Sequence, residues 1–156
     1  MELFVVFKYL HIVSMFFAIA LALSGEQVLR RIAASGNVVA IRVAGGRVKP
    51  LIVLSNGFFA AGLAFGVVAA LTGQINLLAP WLVASYVAVA AAFFIGMTIT
   101  DPWVARVEAE AAGSPDGMPS PELQALIDDR RVALGAWALM GLLAFIIFLM
   151  VVKPLG

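Results

Sequence analysis

Cysteine is absent from this chain, and histidine occurs only once. Without thiols the chain forms no disulfide, no thiolate metal site and no cysteine nucleophile. Charged residues make up 12% of the sequence, whereas soluble domains carry roughly 25%. The formal net charge of +1 gives no overall field that would attract a nucleic acid, so no nucleic-acid partner is expected. These shortages indicate a protein with little surface in water.

Hydrophobic residues make up 63% of the 156 residues, and they are concentrated in four long runs. A membrane-spanning helix needs about 20 predominantly apolar residues, and the backbone in hydrocarbon must satisfy its own hydrogen bonds. The chain is therefore expected to be all-α, an integral membrane four-helix bundle that forms a single transmembrane domain over residues 1–156. The predicted spans are Leu3–Leu23, Leu51–Thr72, Trp81–Thr100 and Val132–Val152.

The cations are distributed unevenly between the connections. Residues 25–50 hold five cations against one acid, residues 101–131 hold three cations against seven acids, and residues 73–80 hold no charge. Lysine and arginine concentrate on the cytoplasmic side of membrane proteins, and acids contribute little to this rule. The pattern predicts that connections 25–50 and 101–131 are cytoplasmic and that both termini lie outside.

Both long connections show helical patterns. In the first, Val28, Leu29, Ile32 and Ala33 recur at helical spacing beside two arginines, which predicts a short amphipathic helix resting on anionic headgroups. The third connection predicts a helix from residue 101 to 112 and a flexible bend over 113–121. A further helix is expected to start at the Ser120 cap and to run into the fourth span.

Small residues recur every fourth position in three of the spans, a pattern that lets helix backbones approach closely in lipid. One interpretation is a tightly packed bundle or an oligomer interface. The other is that the glycines clear room for a flat ligand. The stripes are Ser14, Ala18 and Ala22 in the first span, Gly62, Gly66 and Ala70 in the second, and Ala84, Ala88, Ala92 and Gly96 in the third.

His11 is the most informative single residue, because it lies about 12 Å below the start of the first span and shares a face with small residues. Matching the depths of antiparallel spans places it near Gly62 and Gly66. A neutral imidazole either donates a hydrogen bond to a neighbouring helix or ligates a metal or haem iron. In the second case Lys8 and Lys153 are expected at the propionates. The possible axial partners are Met15, Met97, Met140 and His11 of a second copy.

Polar and aromatic residues near the cytoplasmic ends of the spans suggest structural roles. Asp101 is expected to pair with Arg130 or Arg131 and so to join the third and fourth spans. Trp81 and Trp103 are expected in the aromatic belts at the membrane surface. The spans contain no acid at mid-depth, which argues against an ion-coupled transporter.

Short motifs in the chain resemble known bacterial membrane proteins. The stretch Lys8-Tyr9-Leu10-His11-Ile12 resembles the copper-resistance D type and the haem-linked membrane protoporphyrinogen oxidase type. The closing stretch from Phe148 to Pro154, together with Trp81, is similar to a family of predicted integral membrane proteins of unknown function. The resemblance implies a four-helix fold in a bacterial cytoplasmic (inner) membrane and suggests haem or copper at His11. Where those families place a tryptophan and paired glycines, this chain has Phe16-Phe17-Ala18.

Two function classes remain open at this point. The chain has no nucleophile motif, no phosphate loop and no pair of metal ligands at helical spacing, so an accessory or self-associating bundle subunit without catalysis is favoured. The alternative is a b-type haem or metal-binding protein in electron transfer, with His11 as the ligand. In that case the cofactor site would comprise His11, Met15, Lys8, Gly62 and Gly66. The expected partners in either class are the lipid bilayer and a second copy or a membrane complex.

Overall fold

A computed structural model describes residues 2–154, which are helical with no strand. Four helical segments are long and apolar enough to cross a membrane, namely Glu2–Ala34, Val38–Thr72, Pro80–Gly113 and Pro121–Val152, the last of which is interrupted at residues 128–129. The all-α class and the multi-pass membrane character predicted from the sequence are therefore confirmed. The individual elements are α1 (Glu2–Ala34), α2 (Val38–Thr72), α3 (Pro80–Ile95), a π-helical turn (Gly96–Thr100), α4 (Asp101–Gly113), α5 (Pro121–Ile127) and α6 (Arg130–Val152).

The chain divides into two compact units, Met1–Asn76 and Leu77–Gly156. The first unit is an antiparallel hairpin of α1 and α2, joined by a turn of only three residues. Gly36 adopts a φ of 68°, a left-handed conformation that glycine reaches without steric cost. Asn37 then caps α2, because its side-chain oxygen accepts a hydrogen bond from the backbone N–H of Ala40 at 3.0 Å. This turn makes the two long helices neighbours.

The first connection is itself helical, because α1 and α2 both continue into it. With 33 and 35 residues, each helix is about 50 Å long, whereas the hydrocarbon core is about 30 Å thick. Leu29 and Ala33 are buried in the hairpin together with Val38 and Ile41 of α2. The amphipathic segment expected as a separate interfacial helix is therefore the last part of α1, and two of its four apolar residues, Leu29 and Ala33, pack within the hairpin.

In the second unit, the π-helical turn connects α3 to α4 without a break. The backbone N–H of Asp101 bonds to the carbonyl of Gly96, five residues earlier. The next residue, Pro102, has no N–H and its ring crowds the preceding turn of a helix. A wider turn accommodates this ring, so the third span and the predicted helix over 101–112 form one continuous rod.

The start of α5 is as predicted, but α5 does not run into the fourth span. Ser120 caps α5 by accepting a hydrogen bond from the N–H of Leu123 at 3.1 Å, and Pro121 is the first helical residue. The helix ends at Ile127, and Asp129 caps α6 by accepting from the N–H of Arg131 at 2.9 Å. The continuous helix predicted from the sequence is wrong at this point, because the Asp129 cap has an extended backbone conformation that interrupts it.

Candidate functional site

Glycines of α2 face large side chains of α1 along the seam of the first hairpin. A Cβ at Gly66 would lie 2.7 Å from His11 Nδ1, and one at Gly62 would lie 3.2 Å from the Met15 side chain. A Cβ at Gly73 would lie 2.6 Å from the ring of Phe4. The three contacting residues of α1 are seven and four positions apart, and the glycines that face them on α2 have the same spacings in reverse order. This regular register is the close packing that glycine permits between antiparallel helices.

His11 bridges the two helices of this hairpin. Its Nδ1 lies 2.7 Å from the carbonyl oxygen of Gly62, and because a carbonyl only accepts, Nδ1 donates. The predicted proximity of His11 to Gly62 and Gly66 is present, and so is the helix-to-helix hydrogen bond, one of the two roles considered for this residue. In the neutral ring Nε2 then carries the lone pair.

The space beside the two glycines is filled by side chains of the same hairpin. The His11 ring lies on Gly66 and the Met15 thioether lies on Gly62, so the seam has no slot there for a flat ligand. His11 and Met15 are also one turn apart on the same helix, which prevents them from ligating one iron from opposite sides. Of the residues predicted for a cofactor, this hairpin brings together His11, Met15, Gly62 and Gly66, but in mutual packing.

Ser55 is a seam residue that the sequence alone did not single out. Its hydroxyl is buried and donates to the carbonyl oxygen of Ala18 at 2.8 Å. The signal for it is the register of the His11–Gly62 hydrogen bond, since Ala18 is seven residues after His11 and Ser55 is seven residues before Gly62. In the small-residue stripe of α1, Ser14 and Ala18 are buried as expected, whereas Ala22 is exposed.

The stripe of the third span contributes only in part to packing in the second unit. Ala88 is buried, whereas Ala84, Ala92 and Gly96 are half-buried, and a Cβ at Gly96 would meet no atom within 4 Å. The close approach is made by Gly135 of α6 instead, where a Cβ would lie 3.2 Å from the side chain of Ile99. The tightest glycine contact in this unit is therefore on the opposite helix from the one predicted.

A buried indole ties α4 to α5. Asp101, Arg130 and Arg131 are all exposed, and the ion pair between the third and fourth spans stays a prediction. Trp103 is only 5% exposed, and its Nε1 donates to the carbonyl oxygen of Leu126 at 3.0 Å. The ring is therefore buried inside the protein, as are the side chains of Val104, Val107, Ala111, Leu123 and Leu126, and its position at the depth of an aromatic belt stays a prediction.

Both lysines near the chain ends lie over aromatic rings. The ammonium of Lys153 is 5.4 Å from the centre of the Trp81 ring, and Trp81 is 6% exposed rather than facing lipid in a belt. The ammonium of Lys8 is 5.8 Å from the centre of the Phe4 ring. Such cation–π contacts orient the ammonium groups, so both lysines have a role that needs no propionate.

A second, outward surface of α2 lies away from the seam. Asn56, Gly57, Ala60 and Ala64 are all exposed, and a Cβ at Gly57 would meet nothing within 4 Å. Residues four positions apart share one face of a helix, so Asn56, Ala60 and Ala64 form a row on one face of α2. The row begins with the side-chain amide of Asn56, and Gly57 lies beside it. We call these four residues the outer α2 row.

The described residues contain no group of three or more His, Cys, Asp or Glu side chains that could hold a metal ion. Comparison with protein-family models, with curated proteins and with solved structures finds no match to this chain. The function must therefore be inferred from the two helical units themselves.

Proposed function

We propose that this protein is a small bacterial inner-membrane subunit that self-associates or serves as a non-catalytic accessory component of a membrane complex. The outer α2 row carries the proposal. Glycine and alanine on a lipid-facing helix surface allow another helix to approach closely, and an amide beside them can hydrogen-bond across the new interface. The row has both features, and a Cβ at Gly57 would meet no atom of the described residues within 4 Å.

The use of the polar side chains in the seam supports the same proposal. The His11 ring and the Ser55 hydroxyl each hydrogen-bond to a backbone carbonyl of the neighbouring helix, and Ser85 bonds to the carbonyl of Trp81 within its own helix. These groups stabilise the fold. A subunit whose polar groups serve packing in this way is suited to association with another protein.

The proposal also includes the orientation of the protein in the membrane. The connections 25–50 and 101–131 hold eight of the ten cations of the chain, and the positive-inside rule places them in the cytoplasm with both termini outside. The distal part of the α1–α2 hairpin then projects from the cytoplasmic face, since each helix exceeds the hydrocarbon thickness by about 20 Å.

Substitutions in the outer α2 row are expected to weaken self-association. Asn56→Leu removes the amide, and an interhelical hydrogen bond in lipid is worth about 1 kcal/mol, so the dimer dissociation constant should rise about fivefold. Gly57→Leu should have a larger effect, because its side chain prevents close approach. Förster transfer between labelled copies in liposomes, diluted with lipid, measures the constant.

Gly46→Leu is the matched control, because Gly46 is also on α2 with open space around its missing Cβ but lies outside the predicted span. It should leave the dissociation constant unchanged. A wild-type protein that stays monomeric at every lipid dilution, and that co-purifies with no other membrane protein, would refute the proposed function.

The alternative function is b-type haem or metal binding at His11, which the resemblance to the copper-resistance D and protoporphyrinogen oxidase types suggests. One observation favours it: Nδ1 donates to Gly62, which orients the ring and leaves Nε2 as the atom that would ligate iron. Bound haem would supply one-electron transfer. The filled glycine seam does not fit a haem between α1 and α2, so the group would lie outside the seam and take its second ligand from another copy.

The absorbance spectrum of the purified protein tests this alternative. If haem is bound through His11, a Soret band is expected in the wild type and should be lost in His11→Ala, while Met15→Leu retains it. Helical content measured by circular dichroism provides the folding control. A protein that remains colourless after incubation with haem during reconstitution would exclude the haem function and leave self-association unaffected.

A further inference from the structure

An open apolar groove runs along the distal part of the α1–α2 hairpin. Its volume is about 600 Å³, and its lining includes Val28 and Ile32 of α1 and Val39, Val43 and Arg47 of α2. The lining of α2 extends from Asn37 to Leu51, a rise of about 20 Å. Most of this stretch lies between the first two apolar spans, in the part of the hairpin that exceeds the hydrocarbon thickness.

The predicted spans Leu3–Leu23 and Leu51–Thr72 leave most of the exposed apolar surface of this groove outside the hydrocarbon core. The exposed fractions are 52% for Val28, 47% for Val39 and 65% for Val43. Contiguous apolar surface outside the bilayer core marks a site for an apolar ligand or partner. The length of the groove is also sufficient for a lipid tail, since one leaflet of the hydrocarbon core is about 15 Å thick.

The charge around the groove selects the kind of ligand. Residues 25–50 contain five cations and one acid. The acid, Glu26, is buried with 5% exposure. Arg47 is the ionisable residue that lines the groove, and its side chain is exposed. A guanidinium presents donors that match the oxygens of a phosphate. The ligand should therefore combine a long apolar part with an anionic head.

We propose that this groove binds one acyl chain of an anionic membrane phospholipid, with the phosphate of that lipid held at Arg47. A zwitterionic lipid offers the same tail but cancels the phosphate charge, and a short-chain anionic lipid offers the phosphate without filling the groove. The proposal is independent of self-association through the outer α2 row, which lies on a different part of α2.

Native mass spectrometry of the full chain in neutral detergent tests the lipid preference. Long-chain phosphatidylglycerol is expected to bind about fivefold more tightly than phosphatidylcholine of the same chain length, the factor that corresponds to the ~1 kcal/mol contribution of one basic residue near anionic lipid. Phosphatidylglycerol with six-carbon chains should bind more weakly than the long-chain form. Equal binding of the two long-chain lipids, or undiminished binding of the short-chain one, would overturn the proposal.

Two pairs of variants locate the site. Arg47→Gln should abolish the preference for phosphatidylglycerol, whereas Arg106→Gln, an exposed cation on α4, should preserve it. Ala40→Phe fills the groove and should reduce binding of both long-chain lipids, whereas Ala109→Phe on the exposed face of α4 should not. If each variant behaves like its control, the groove is not the lipid site.

Val43→Glu provides a further check if Ala40→Phe disturbs folding. Val43 is 65% exposed, so its replacement leaves the hairpin core intact while it places a carboxylate in the groove. Phosphatidylglycerol binding should fall. A photo-crosslinker at position 43 that captures a protein segment, with no lipid adduct in any titration, would assign the groove to a protein partner and reject the lipid proposal.

Discussion

Gly66→Ala is expected to destabilise the α1–α2 hairpin by about 2 kcal/mol, the range of overpacking substitutions in well-packed cores. The new methyl group would lie 2.7 Å from Nδ1 of His11. The ring can move away only by giving up its hydrogen bond to Gly62. The free energy of unfolding, measured by titration with sodium dodecyl sulfate in mixed micelles, reports this loss.

A double-mutant cycle with His11→Ala separates this contact from a general effect of alanine. In the His11→Ala background the ring is absent, and Gly66→Ala should then cost close to nothing. Gly46→Ala is the matched control, since it makes the same change on the same helix where a Cβ meets no atom within 4 Å. An equal cost of Gly66→Ala in both backgrounds would show that the His11 ring does not lie on Gly66.

Trp103→Ala is expected to destabilise the second unit by about 3–5 kcal/mol, as the removal of a large buried aromatic side chain does elsewhere. The ring is 5% exposed and its Nε1 donates to Leu126. Trp103→Phe keeps an aromatic ring but leaves the carbonyl without this donor, so a smaller cost of about 1–3 kcal/mol is expected. Loss of α4–α5 structure should follow, and hydrogen exchange of these helices measures it.

Trp137→Ala is the control for this experiment. Trp137 belongs to the same unit but is 71% exposed, so its removal should cost less than about 1 kcal/mol. A large effect at Trp137 together with a small one at Trp103 would contradict the buried position of Trp103.

The sequence was sufficient to predict elements that depend on local chain geometry or on the preference of an apolar segment for hydrocarbon over water. Four apolar stretches predicted four spans, because a run of about 20 apolar residues has few other stable environments. Ser120 followed by Pro121 predicted the start of α5, because capping and proline geometry are local properties of the chain. The same reasoning failed at Asp129, where a second capping residue ends one helix and begins another.

The His11 neighbourhood was partly predictable for a related reason. When the ends of two antiparallel spans are known, the residues that lie at the same depth can be predicted, and this placed His11 near Gly62 and Gly66. Depth does not specify which side of each helix faces the other, or whether a ligand or a side chain occupies the space beside a glycine. The structure shows that His11 and Met15 occupy it.

By itself, the sequence of this protein determined the number of spanning helices, the helical class and the clustering of cations in two connections. Only the tertiary structure decided that α1 and α2 continue through the first connection, that Trp103 ties α4 to α5, and that the groove beside Arg47 exists. The reason is physical. Hydropathy and helix caps act over one or two turns of chain, whereas burial, glycine contacts and grooves depend on which faces of distant segments meet.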